Sequence, residues 1–392
     1  MRRLAILLYA ATLVNCGEDE DQGDSSVDAG WTNDASSTDE SGSTDDAGST
    51  DDASSPCETL DCQTSTYNLL IADLDGSNVE VVATSAWQDM THPRMSADQS
   101  WVAYTTYNLP NGDGCATFDQ GYLDTEIRVR RRDGSIDKNV VGPVVGELTS
   151  NSYWIGNSNE FTYLAGPPSG TRIMRMALDG EMDPVGDGAE IPVPATIHPL
   201  DPAPHQGSGK IVFAGIYDNG GPVLSLFLMN LADGGAIEGL TLARDSAGNP
   251  LHPPDGFEND PKLSPDGDKV VFMRRAENVG DDGFGWHLFV VPAAAPFTEV
   301  DLSAPHIGSG LASNDVLPEW IDNDTLVFST IDIDFEAATF TKSVFVMKDD
   351  GSERTRIDLP AGFHYADVFP FKTPGGTRLL VSANKSGAPC AP

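Results

Sequence analysis

The chain has 392 residues, with 60 acidic against 23 basic side chains and a formal net charge of −37. Such a deficit of Lys and Arg excludes nucleic acid, whose phosphates need a basic face, and docking on an anionic membrane through basic residues. Apolar residues make up 39% of the sequence, enough for one large repeat domain or two ordinary ones.

Met1-Arg2-Arg3 is a short basic start followed by an apolar run from Leu4 to Val14. Spanning a bilayer takes about 20 residues, so the run reads as a secretory signal sequence. It ends in Leu13-Val14-Asn15-Cys16, which resembles the lipobox of bacterial lipoproteins, with Asn15 where a smaller residue is usual. The resemblance implies a signal peptide over 1–16, lipid on Cys16 and a place in the cell envelope; plain secretion is the alternative. Residues 17–56 hold 13 acidic side chains and no Lys or Arg, and Ser43-Thr44-Asp45-Asp46-Ala47 recurs as Ser49-Thr50-Asp51-Asp52-Ala53. Such a segment cannot bury enough apolar surface to offset its ordering entropy, so it reads as a disordered tether, about 35 Å long on average.

From residue 57 to 392 one unit recurs six times: an alternating strand ending in Asp-Gly, a second strand, a Pro or aromatic, a tight turn, and a third strand. One copy runs Leu226-Phe227-Leu228-Met229-Asn230 and Asp233-Gly234, then Asn259-Asp260-Pro261-Lys262-Leu263-Ser264-Pro265-Asp266-Gly267 and Lys269-Val270-Val271-Phe272. Others hold Ile71-Ala72-Asp73-Leu74-Asp75-Gly76 with His92-Pro93, Asp133-Gly134 with Tyr153-Trp154, and Asp179-Gly180 with Asp201-Pro202. The last two hold Pro318-Glu319-Trp320, and Asp350-Gly351 with Phe369-Pro370. Asp-Gly supplies the positive φ of a tight hairpin, and the β-branched and aromatic residues suit a pleated, half-buried face. One such sheet cannot bury both faces, but six packed radially can. The expectation is an all-β, six-bladed β-propeller over 57–392, preceded by the acidic linker.

These phrases resemble the TolB-type, WD40-like propeller repeat over about 320 residues, Tyr67 to Ser386. The resemblance implies that the chain starts on the third strand of the closing blade and ends on its second. Cys57, Cys62, Cys115 and Cys390 then fall on one rim, where an oxidising compartment favours disulfides. The pairing implied is Cys62–Cys390 with Cys57–Cys115, or the swapped arrangement.

No Gly-x-Ser-x-Gly elbow and no paired His motif occurs. The histidines read first as solvated loop residues, but His92 is also a candidate binding residue at the channel mouth. Carboxylates are more informative: Asp89, Asp201, Glu258, Asp260, Asp315 and Asp367 stand just before the innermost strands, at positions expected to converge on one channel mouth. That ring would focus a negative potential and attract a basic peptide or a divalent cation such as Ca²⁺; each carboxylate could equally cap the turn entering its strand. No other cofactor is implied. The function expected is a monomeric, lipid-anchored, non-catalytic module that binds an envelope protein or peptide at the mouth or the rim loops. The alternative is a polysaccharide lyase or hydrolase using the mouth carboxylates.

Overall fold

The first Asp-Gly of the repeat turns its hairpin for a steric reason. Gly76 takes φ 84°, and a Cβ there would stand 2.2 Å from the carbonyl oxygen of Asp358, so only glycine fits. Asp75 fixes the same turn by accepting the Ser77 N–H at 2.9 Å.

The computed structural model describes residues 66–85, 88–108, 125–167, 170–205, 207–218, 222–235, 237–241, 258–276, 285–295, 297–306, 314–334 and 339–385. Cys16, Cys57, Cys62, Cys115 and Cys390, the leader and the tether lie outside them. Strands β1 (Thr66–Asp73) and β2 (Glu80–Ser85) come first. Blade 1 is β3 (Gln88–Met95), β4 (Trp101–Asn108), β5 (Glu126–Arg131) and β6 (Asp137–Val141). Blade 2 is β7 (Leu148–Trp154), β8 (Glu160–Gly166), β9 (Arg172–Ala177) and β10 (Ala189–Glu190). Blade 3 is β11 (Ile197–Pro204), β12 (Lys210–Asp218), β13 (Pro222–Asn230) and β14 (Glu238–Gly239). Blade 4 is β15 (Glu258–Leu263), β16 (Lys269–Ala276), β17 (Gly285–Pro292) and β18 (Val300–Asp301). Blade 5 is β19 (Asn314–Trp320), β20 (Thr325–Asp334), β21 (Thr339–Lys348) and β22 (Thr355–Arg356). Finally β23 (His364–Thr373) and β24 (Gly376–Lys385) pair back onto β1 and β2, giving blade 6 the order β23-β24-β1-β2.

The molecule is a six-bladed β-propeller of four-stranded antiparallel sheets. The ring closes as the repeat resemblance implied: β1 lies against β24 in unbroken register from Thr66↔Lys385 to Asp73↔Arg378. The innermost strands β3, β7, β11, β15, β19 and β23 touch one another in turn around the channel. Asp89, Asp201, Glu258, Asp260, Asp315 and Asp367 lie within these innermost strands, not ahead of them. Pro93, Pro202, Pro261 and Pro318 sit at β-bulges, where the ladder does not need their missing N–H.

Six apolar clusters stabilise the ring, one at each blade–blade interface. Phe213, Phe272 and Phe328, all fully buried, occupy the same place on the second strands of blades 3, 4 and 5. Each stacks on the phenylalanine opposite it in register, Phe227, Phe289 or Phe345, at 5.5, 5.6 and 6.0 Å between centroids.

Candidate functional site

The bulges decide what faces the channel. In β3 the ladder runs Thr91↔Thr105 and resumes at Arg94↔Ala103, so His92-Pro93 opposes a single residue. The same two-against-one step occurs at Asn151-Ser152, Asp201-Pro202, Asp260-Pro261, Leu317-Pro318 and Ala366-Asp367. The first residue is left-handed in five of the six: His92 (φ 49°), Asn151 (55°), Asp201 (44°), Asp260 (50°) and Leu317 (55°). Asn and Asp tolerate that conformation best among side-chain-bearing residues; a leucine there costs about 1–2 kcal/mol.

A polar chain runs from blade to blade at this level. Asn151 Nδ2 donates to the Asp201 carboxylate, which also accepts the backbone N–H of Asp260 in the next blade. The Asp260 carboxylate takes the ammonium of Lys262 at 3.0 Å. Across the ring, Asp367 accepts the backbone N–H of His92 and stands 3.7 Å from His92 Nε2. The chain is interrupted at blade 5, where the bulge residue is Leu317.

Just past the bulges, a second layer spans the channel. Arg94 of blade 1 reaches Glu319 of blade 5 at 2.8 Å and donates to the Tyr153 hydroxyl of blade 2, which itself donates to Glu319 at 3.3 Å. The Arg94 guanidinium lies 4.1 Å over the Tyr153 ring, and Lys262 Nζ stands 5.2 Å from it. Indoles of neighbouring blades hold the backbone here: Trp154 Nε1 donates to Arg94 O at 3.1 Å and Trp320 Nε1 to Lys262 O at 2.9 Å. No water-sized space remains among Arg94, Asp260, Lys262, Leu317, Glu319, Asp367 and Val368, so the channel is filled at this depth.

The charges do not balance. Asp89, Asp201, Asp260, Glu319 and Asp367 share three cations, Arg94, Lys262 and Lys342, and of these Asp260, Glu319, Asp367, Arg94 and Lys262 are buried. Burial, helped by the Asp260 charge and opposed by Lys262, pushes Asp201 up to about 7. Burial likewise raises Glu319 against the pull of Arg94 and Lys262. It lowers His92, with Asp367 and Asp260 opposing, so the imidazole stays neutral at pH 7. Burial would raise Asp367 too, but His92 and Arg94 hold it below the usual carboxylate range. Asp89, buried near Lys342, is pushed up to about 6.

Of the residues expected at the mouth, the fold assembles His92, Asp201, Asp260 and Asp367. It does not add Glu258 and Asp315. Glu258 is engaged by Arg274 and Thr241. Asp315 is engaged by Arg354 at 2.7 and 2.8 Å, Ser303 at 2.7 Å and Thr330 at 2.8 Å. These carboxylates are therefore not equivalent positions, and the ring is not purely acidic. Sequence reasoning missed Arg94, Lys262 and Glu319, although Pro93-Arg94, Pro261-Lys262 and Pro318-Glu319 carry a signal: a charged residue after the repeat's proline. Outside the channel, a shallow cleft of about 750 Å³ opens between Asp73–Glu80 and Thr373–Arg378. Its Arg378 is already committed to Asp73 at 2.7 Å and Glu80 at 3.5 Å.

The sequence matches no protein-family model and no curated protein. Among solved structures the chain is similar to TolB from Acinetobacter baumannii, with TM-score 0.47 and 11% identity over 81% of this chain and 64% of that one. It is similar to a chain of a nidogen/laminin complex, with TM-score 0.45 and 10% identity over 70% and 91% of the two chains. It is also similar to an oligogalacturonate lyase in complex with manganese, with TM-score 0.43 and 11% identity over 76% and 90%. This chain thus spans 64% of the TolB chain's length, and what these proteins have in common with it is the propeller fold.

Proposed function

We propose that this chain is a monomeric, lipid-anchored protein of the cell envelope, with residues 1–16 as its leader, Cys16 as its anchor and residues 17–56 as its tether. The propeller of residues 57–392 binds a protein or peptide partner at the channel mouth and catalyses nothing. One observation carries this reading. The charged layer fills the channel and leaves it short of cations, so a ligand meets an acidic surface at the mouth instead of entering a cleft.

The second reading is an enzyme acting on polysaccharide. It is favoured by Asp201, whose proton affinity suits acid–base chemistry near neutrality. One experiment separates the two. The full chain, immobilised and exposed to a detergent-solubilised envelope under mild cross-linking, is expected to retain a specific partner, and Asp201→Lys to release it. Failure to retain any partner overturns the docking reading. New reducing ends released from a polysaccharide, and lost in Asp201→Asn, would replace it with the enzyme.

A further inference from the structure

Several buried polar atoms at the channel centre lack partners, Arg94 Nε among the donors and two more in blade 2. Asn151 is 1% exposed, and its Oδ1 has no hydrogen-bond partner although its Nδ2 is held by Asp201, so the amide is fixed against that carboxylate. Ser152, fully buried beside it, also has an Oγ without a partner. With five carboxylates sharing three cations, the group that would satisfy this cluster is a positively charged donor.

We propose that the mouth takes a protonated primary amine, the lysine side chain or free N-terminus of a bound peptide, between Asp201 and Asp260. This rests on the docking reading above and names the chemistry of the partner. An ammonium carries three donors, suited to an Asp201 oxygen, an Asp260 oxygen and the Asn151 carbonyl. The protein already uses the same group here, since Lys262 Nζ meets Asp260 at 3.0 Å. The layer of Arg94, Lys262 and Glu319 closes the channel beyond the bulges, and Asp201, which is partly exposed, is the member of the cluster a ligand meets. A metal ion fits less well: among the described residues no group of three or more His, Cys, Asp or Glu could hold one.

The titratable groups around Asp201 are Asp260 and Lys262 directly, with His92, Arg94, Tyr153, Glu319 and Asp367 across the channel. Filling the site with a cation keeps Asp201 ionised, so binding near pH 7 releases protons. The test is calorimetric titration of the full chain with the blocked tripeptide Gly-Lys-Gly and with its Nε-acetylated form, in two buffers of different ionisation enthalpy. The lysine peptide is expected to bind at least about tenfold more tightly than the acetylated one, with net proton release. Asp201→Asn should abolish that release and most of the preference. Asn151→Ala, which leaves both carboxylates in place, should weaken lysine binding and keep the release. Equal affinity for the two peptides, no binding, or unchanged behaviour of both variants overturns the proposal. Proton release on adding CaCl₂ alone, without lysine binding, assigns the cluster to a metal and overturns it too. A partner captured from the envelope despite any of these failures leaves the docking reading standing.

Discussion

Glu258 and Asp315 are as deeply buried as Asp260, yet they are satisfied differently from it and from its neighbour Asp201. Each of the first pair has an arginine and at least one hydroxyl within its own surroundings: Arg274 and Thr241 for Glu258, Arg354, Ser303 and Thr330 for Asp315. In the channel, Asp201 makes do with an amide and a backbone N–H, and Asp260 with one ammonium. A buried acid therefore does not mark a site. A shortage of donors around it does, because a saturated carboxylate has nothing left to offer a ligand.

The largest effect should come from breaking the saturated set. Arg354 lies over the rings of Phe328 and Phe345 at 5.2 and 4.8 Å while pairing with Asp315, which is fully buried. Arg354→Met keeps most of the packing and strands the charge, at an expected cost of about 3–5 kcal/mol in urea unfolding. Adding Asp315→Asn should recover much of that loss, since the stranded group is then neutral. Asp201→Asn alone should cost far less than Arg354→Met. Equal costs would erase the distinction between the two sets.

A smaller effect is a difference in pH dependence. Unfolded, Asp201 titrates near an ordinary carboxylate value of about 3.9; folded, it holds its proton to about 7. Between these values the folded chain binds more protons than the unfolded one. Stability from this group is therefore complete at low pH and is lost as pH rises through about 7. Asp367, held low, acts in the opposite sense, contributing above the unfolded value and losing stability as pH falls; it is common to wild type and Asp201→Asn and cancels between them. The stability of wild type relative to Asp201→Asn should fall by about 3–4 kcal/mol from pH 4 to pH 8, nearly all of it below pH 7. A flat difference would mean that Asp201 is already compensated.

The fold was legible because its signals are local and repeated: Asp-Gly hairpins, period-two strands, and a large apolar residue at one place on the second strand of most blades. The site was legible in part. Asp201 and Asp260 each directly precede a proline, and the bulge puts both in the channel. Glu258, Asp315 and Asp367 each stand three residues before a proline and look alike in sequence. In blade 6, however, the bulge falls at Ala366-Asp367 and Pro370 lies in regular ladder opposite Leu379. A two-residue bulge shifts which side chains face inward, and nothing in a single strand's composition announces it. The cations escape notice for a related reason: setting the carboxylates just ahead of the innermost strands puts Arg94 and Lys262 at strand starts instead of across the channel.

The smallest expected effect concerns Leu317, the residue that interrupts the polar chain. It shares a φ of 55° with Asn151, its counterpart in blade 2, and asparagine tolerates that region better than leucine. Leu317→Ile keeps the volume but adds a β-branch where φ is positive, and should cost about 1 kcal/mol. Leu317→Asn gives up apolar contact with the cluster between blades 4 and 5 but relieves the backbone, and should stay within about 0.5 kcal/mol of wild type. The introduced amide also supplies a donor in the space that Leu317 shares with Asp260, moving the channel toward the saturated condition of Glu258. The pH-dependent difference assigned to Asp201 should shrink accordingly, because a better-satisfied Asp260 leaves Asp201 less reason to hold a proton. An isoleucine variant more stable than the asparagine variant would show that packing, and not backbone conformation, governs this position.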